Sequence, residues 1–234
     1  MDNKIIASPR CEIEAAISSH DLPELLRMAG MLHGHFCPFL AIGVKAAARA
    51  VTELNTRSTG MEEVIAIIET NNCFADGVQF VTGCTLGNNA LFYRDYGKVI
   101  FTLAHRTGDA VRIAIKVNVD FLRQKDPEAV ALFLKVVKER RGTTAEKKEQ
   151  KQQWAKLAFN LLELPDESIF SITTPHIDIP GFSKIFPSIK CARCGELIME
   201  THARFHNSQP ACIPCAGQPY YQLSGDGMSI IHPL

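Results

Sequence analysis

Apolar positions recur at helical spacing from Asp21 to Gly34, where Leu25, Met28, Ala29 and Leu32 fall on one face. Asp21 suits the cap, Pro23 the first turn, and Gly34 the stop of this predicted helix. A second helix is predicted through LAIGVKAAARAVTELN, with Leu40, Val44, Ala47, Ala48 and Val51 on its apolar face. Pro38 then takes the first helical position, so Cys37 stands at or just before a helix start. The Ile- and Val-rich EEVIAIIET reads as a buried strand ending at Asn71 and Asn72, followed by a short helix through ADGVQFVTG. KVIFTLAHR and AVRIAIKVN read as two strands of a hairpin, joined by Thr107, Gly108 and Asp109. Two helices are expected next, over Pro127–Arg140 and Thr144–Leu164. In the latter, AEKKEQKQQ is a solvated face that leads into an apolar stripe at Trp154, Leu157, Leu161 and Leu162. Pro165, Pro175, Pro180 and Pro187 mark a boundary region, giving a core domain over 1–187 and a small module over 188–234.

Composition narrows the class. At 234 residues, 46% hydrophobic and 21% charged, the chain reads as globular rather than disordered. Lys plus Arg equals Asp plus Glu at 25 each, which argues against a nucleic-acid partner held by phosphate neutralisation. MDNKIIASPRCEIEAA carries charges throughout and lacks the apolar stretch of a signal peptide. No apolar run approaches the ~18 residues of a membrane helix. A cytoplasmic protein without membrane contact is the expectation. In that setting, eight cysteines point to metal ligands or reactive thiols rather than disulfides.

Four of them form two knuckles, Cys191-Ala-Arg-Cys194 and Cys212-Ile-Pro-Cys215, 17 residues apart. This spacing can close a tetrahedral shell on one zinc ion at Zn–S distances of about 2.3 Å. Four thiolates leave no open position, so Cys191, Cys194, Cys212 and Cys215 are assigned to a structural zinc. The acidic Glu196, Glu200 and Asp226 offset Arg193 and Arg204, so protein contact or dimer support suits the module better than a duplex.

The other concentration of chemistry is MLHGHFCPFLAIG, with His33, His35 and Cys37 in five residues. A thiol at a helix N-terminus meets unpaired N–H groups and the positive end of the dipole, which favour thiolate. Thiolate serves either nucleophilic attack or metal binding, and His35 could be a ligand or a proton acceptor. Further on, NNCFADGVQFVTGCTLGN brings Cys73, Asp76 and Cys84 into one segment that begins where a strand ends. Each residue also has an ordinary use: a histidine at a helix C-terminus, Asp76 as a cap, Cys84 in a buried turn.

HGHFCPFLAIG, CFADGVQFVTGCTLGN and DYGKVIFTL, in that order and spacing, resemble the E-subunit family of formylmethanofuran dehydrogenase. The four C-terminal cysteines are similar to the finger of its longer members. Phe39 departs from a pattern that continues the Cys-Pro pair with glycine, and Asn88-Asn89-Ala90 from a version richer in glycine. The resemblance implies an α+β core with a thioredoxin-like mixed sheet flanked by helices, followed by a treble-clef zinc finger. It implies a core site able to hold zinc or another transition metal, drawing on His35 and Cys37 as the catalytic pair, with Cys73 facing them and His33, Asp76 and Cys84 nearby. A homodimer is also implied, and the Trp154, Leu157 and Leu161 face is expected to exceed what one core covers.

The functional expectation is a metal-binding accessory protein or enzyme, methanogenesis-related and associated with the subunits of formylmethanofuran dehydrogenase. In it His35, Cys37 and Cys73 hold an ion with one position open. The alternatives are a zinc-finger interaction module without catalysis and a thiol redox protein using Cys37, which would need Cys73 or Cys84 to meet it across the fold.

Overall fold

A computed structural model describes residues 8–206 and 208–233. Short-range signals account for most of its elements. Helix α1 spans Cys11–Ser18 and α2 spans Leu22–His33. The Asp21 carboxylate accepts the N–H of Glu24, and Gly34 ends α2 at φ 83°, a left-handed conformation in which glycine carries no steric penalty. Helix α3, Pro38–Glu53, has Cys37 as its N-cap residue in extended conformation. Strand β1, Val64–Ile68, is buried on both faces. Helix α4, Cys73–Thr82, is capped by Asn72, whose side chain accepts the N–H of Phe74.

Strands β2 (Leu91–Tyr93), β3 (Ile100–His105) and β4 (Ala110–Ile115) follow. Helices α5 (Val119–Lys125), α6 (Pro127–Phe133) and α7 (Thr144–Leu162) come next, and β5 (Phe170–Thr173) completes a five-stranded sheet of order β2-β1-β3-β4-β5. Only β1–β2 is parallel. Val64, Ala66 and Ile68 face the helices, while Ile65 and Ile67 pack with Ala104, Ala110, Ile177 and Ile179 on the opposite face. The result is a mixed α+β core.

Three departures from the sequence expectations have physical causes. Leu32 is exposed, because the buried stripe of α2 runs through Leu25, Leu26, Met28 and Ala29. The helix expected over 127–140 is α6 followed by a π-helical turn, Leu134–Lys138. There the Phe133 ring stacks on Trp154, with centroids 4.4 Å apart at 6°. The proline-rich boundary region contributes β5 and a segment whose Ile177 N–H bonds the Gly108 carbonyl at 2.9 Å.

The α3–α4 contact is unusually close. A Cβ on Gly77 would lie 2.6 Å from Val44 N and 2.7 Å from the Leu40 carbonyl oxygen. One on Gly43 would lie 2.4 Å from the carbonyl oxygen of Phe74. Two ion-paired side chains tie further helices to this pair. Lys45, almost fully buried, donates to the carbonyls of Leu162 and Leu164 and lies 3.4 Å from Asp166. Arg10 donates to the carbonyls of Phe80 and Val81 at the end of α4. Both place a cation at a helix C-terminus, where the dipole is negative.

The chain divides into two compact units, one up to Pro180 and one from Gly181. The second contains three antiparallel pairs: β6 (Ser188–Lys190) with β7 (Leu197–Met199), β8 (Arg204–His206) with β9 (Gln209–Ala211), and β10 (Tyr220–Ser224) with β11 (Gly227–Ile231). Among the described residues, no helix is long and apolar enough to cross a membrane.

The glycine crossing yields a prediction. Gly77→Ala gains helix propensity of about 1 kcal/mol, yet overpacking against fixed backbone atoms should leave the protein about 1–3 kcal/mol less stable in urea unfolding. Gly87→Ala, whose Cβ meets nothing closer than the Thr85 hydroxyl at 4.0 Å, is the control and should be nearly neutral. Wild-type stability in Gly77→Ala would contradict the close approach.

Candidate metal centre

Three helix ends converge to build the core site. His33 is the last residue of α2, Cys37 precedes α3, and Cys73 opens α4. The left-handed turn at Gly34 reverses the chain and returns His35 beside His33, with ring centroids 4.4 Å apart. Donor atoms of His33, His35, Cys37 and Cys73 all lie within 4.8 Å of one another. His33 Nε2 is 3.9 Å from Cys37 Sγ. A tetrahedral ion with bonds of about 2.1 Å to nitrogen and 2.3 Å to sulfur separates two such ligands by about 3.6 Å. The donor set and its spacing fit an ion.

Asp76 acts through His33. Its Oδ2 lies 2.7 Å from His33 Nδ1, and its Oδ1 accepts from Gln79 Nε2 at 3.2 Å. A carboxylate on Nδ1 holds the proton there and leaves Nε2 as the donor atom facing Cys37. Sequence spacing placed Asp76 in the neighbourhood; a pairing across 43 residues has no local signature. Cys84 is elsewhere. Its thiol is fully buried and donates to the Val64 carbonyl at 3.6 Å, and burial pushes its pKa up to about 11.

Without an ion, the two sulfurs share a proton unequally. The Cys37 thiol donates to Cys73 and holds the Cys73 pKa down to about 6, against the opposing effect of burial and with help from His33. The same shared proton, then burial, drives Cys37 up. The thiolate of the metal-free pair is therefore Cys73. His35 is shifted down, first by burial and then by His33, which favours the neutral ring that ligation needs.

The second cluster lies in the C-terminal unit. Donor atoms of Cys191, Cys194, Cys212 and Cys215 also lie within 4.8 Å of one another, with Cys194 and Cys212 sulfurs 3.9 Å apart. Cys191 Sγ accepts the N–H of Cys212 at 3.3 Å, and Cys212 Sγ that of Cys215 at 3.4 Å. Backbone N–H groups of Cys194 and Cys212 hold the Cys191 pKa down to about 6. Gly195, at φ 78°, completes the first knuckle.

The apolar stripe of α7 proves to be internal. Trp154, Leu157 and Leu161 are buried in the core of their own unit, so they offer no surface to a second copy. The reason is α6, which lies against that face.

The family model described as "FmdE, Molybdenum formylmethanofuran dehydrogenase operon" matches residues 32–171, a span that contains all four core donors. A protein of Archaeoglobus fulgidus named "Probable S-adenosyl-L-methionine-binding protein" is 36% identical over 220 residues, covering 92% of this chain. The chain spans 58% of that relative's length. A solved structure of an FmdE-like protein of tungsten formylmethanofuran dehydrogenase, from Syntrophus aciditrophicus, covers 84% of this chain, which covers 92% of it, with TM-score 0.53 and 23% identity. At that identity the likeness is one of fold.

The unequal sharing of the proton can be measured on metal-free protein by residue-resolved alkylation. Cys73 should react slowly below pH 6, where its sulfur is protonated, and its rate should rise through a midpoint near 6 and level above it. A Cys73 rate that keeps rising through the ordinary cysteine range of about 8.5 would contradict the arrangement.

Proposed function

The chain belongs to the FmdE family, and from that premise we propose a metal-binding enzyme or accessory protein linked to formylmethanofuran dehydrogenase, with a zinc-type site in its core. The observation that carries this reading is the convergence of His33, His35, Cys37 and Cys73 from three helix ends. Cys37, Cys73 and His33 would hold the ion from the protein side. His35 would take the fourth position, next to a cavity. A bound zinc ion supplies Lewis acidity toward an oxygen or nitrogen of a small molecule. The protein's own part is orientation: Asp76 sets the His33 tautomer, the α4 N-terminus favours the Cys73 thiolate, and burial keeps His35 neutral.

The C-terminal cysteines would hold a second, structural zinc, whose full thiolate shell leaves the finger a role in protein contact. The thioredoxin-like core and treble-clef finger implied by the family belong to the same reading. So do a homodimer and contact with the subunits of formylmethanofuran dehydrogenase. Exposed Met31, Leu32 and Met61 provide apolar surface for such contacts. The proximity of the Cys37 and Cys73 sulfurs favours one alternative, a dithiol that cycles through a disulfide.

Zinc per chain separates these readings. The protein should carry two zinc ions. Cys37→Ala should carry one and keep its fold, because a residue at a helix end adds little to core packing. Cys194→Ser should also lose one and become protease-sensitive from Lys190 onward, since small zinc modules fold with their metal. A single zinc in the parent protein, with a reversible Cys37–Cys73 disulfide, would favour the redox alternative. Unchanged metal in Cys37→Ala, with a stability loss of roughly 1–3 kcal/mol, would mean that Cys37 only packs.

A further inference from the structure

A cavity of about 500 Å³ opens beside His35, between the start of α3 and the packed α6 and α7 region. Its size falls within the roughly 300–1,000 Å³ typical of small-molecule sites. Phe36, Phe133 and Trp154 supply an apolar wall, and Val137 of the π-helical turn contributes to the rim. π-Helical turns of this kind recur at functional sites.

The polar groups of this lining are few and of one character. Gln150 is only 7% exposed although it lies in the otherwise solvated first half of α7. Among the described residues, its amide has no hydrogen-bond partner, and it borders the cavity. A buried amide left unpaired costs about 1–3 kcal/mol, so a Gln at this position fits a cavity occupant better than it fits packing. The next residue, Lys151, places an ammonium at the exposed mouth. The lining contains no Asp or Glu.

We propose that this cavity binds the carboxylate of a small organic acid. The carboxylate accepts from the Gln150 amide and the Lys151 ammonium, and the acid's apolar body lies against Phe36 and Trp154. One lysine and no opposing acid match a single negative charge. An amide N–H next to an ammonium presents two donors to the two oxygens of one carboxylate. Because His35 borders the same cavity, the bound acid sits beside the core donors. The proposal deepens the reading of that site as one acting on a small molecule, and it rests on that reading.

Trp154 is the only tryptophan of the chain, so its fluorescence reports directly on the cavity. Full-length zinc-loaded protein is titrated with butyrate, hexanoate, 3-phenylpropionate and 3-phenylpropionamide. The acids should give a saturable change that tightens from butyrate to 3-phenylpropionate. The amide should bind roughly tenfold more weakly, as should 3-phenylpropionate to Lys151→Met and to Gln150→Leu. Three results would overturn the proposal: no saturable change with any acid up to about 10 mM, equal binding of acid and amide, or parent-like binding by Lys151→Met. The same titration on Cys37→Ala, with zinc content measured separately, divides the two readings. Lys151-dependent binding that survives loss of the core ion supports the cavity assignment whatever the outcome for the metal. Binding that needs the ion and ignores Lys151 makes the carboxylate a metal ligand and overturns it.

Discussion

The crossing of α3 and α4 at Gly43 and Gly77 is the constraint on which the rest of the core depends. With a Cβ at either position the two backbones could not approach as they do, since its nearest neighbours would be main-chain atoms. Each helix carries a cysteine at its N-terminal end, Cys37 before α3 and Cys73 at the start of α4. Their sulfurs meet because the helices meet. The turn at Gly34 then adds His33 and His35 from the end of α2. Two small residues in helix interiors thus have their effect at helix ends.

Charged side chains hold the outer helices to this pair. Lys45 anchors α3 to the last carbonyls of α7, whose earlier residues Gln150, Lys151 and Trp154 border the cavity beside His35. A buried ammonium is costly unless paired and hydrogen-bonded, and here two carbonyls and Asp166 meet that requirement. The cavity wall and the donor cluster are therefore referred to the same helix, α3.

Local chemistry makes much of this legible from the chain itself. Asp21, Gly34 and Pro38 carry their own boundary signals, and β1, β3 and β4 show continuous apolar runs. The two C-terminal knuckles are legible because their geometry is set by four cysteines at short spacing. What the sequence hides depends on distant partners. β2 is three residues long and exists by pairing with β1, while β5 exists by pairing with β4. The Asn118 cap of α5 is a local signal that the apolar pattern alone does not reveal. Leu32 and the α7 stripe show the limit of periodicity, which marks a face without saying what lies against it. His33 and Asp76, or Cys37 and Cys73, become partners only through the helix crossing. Cys84, close to Asp76 in sequence, points instead to a strand carbonyl.

Zinc-edge X-ray absorption on a Cys191→Ser, Cys212→Ser double variant, in which the finger can no longer hold its ion, would test the central claim most directly. The account predicts a remaining ion with a mixed shell of two sulfurs at about 2.3 Å and imidazole nitrogens at about 2.0–2.1 Å. An absence of bound zinc, or a shell without sulfur, would contradict a metal site at His33, His35, Cys37 and Cys73.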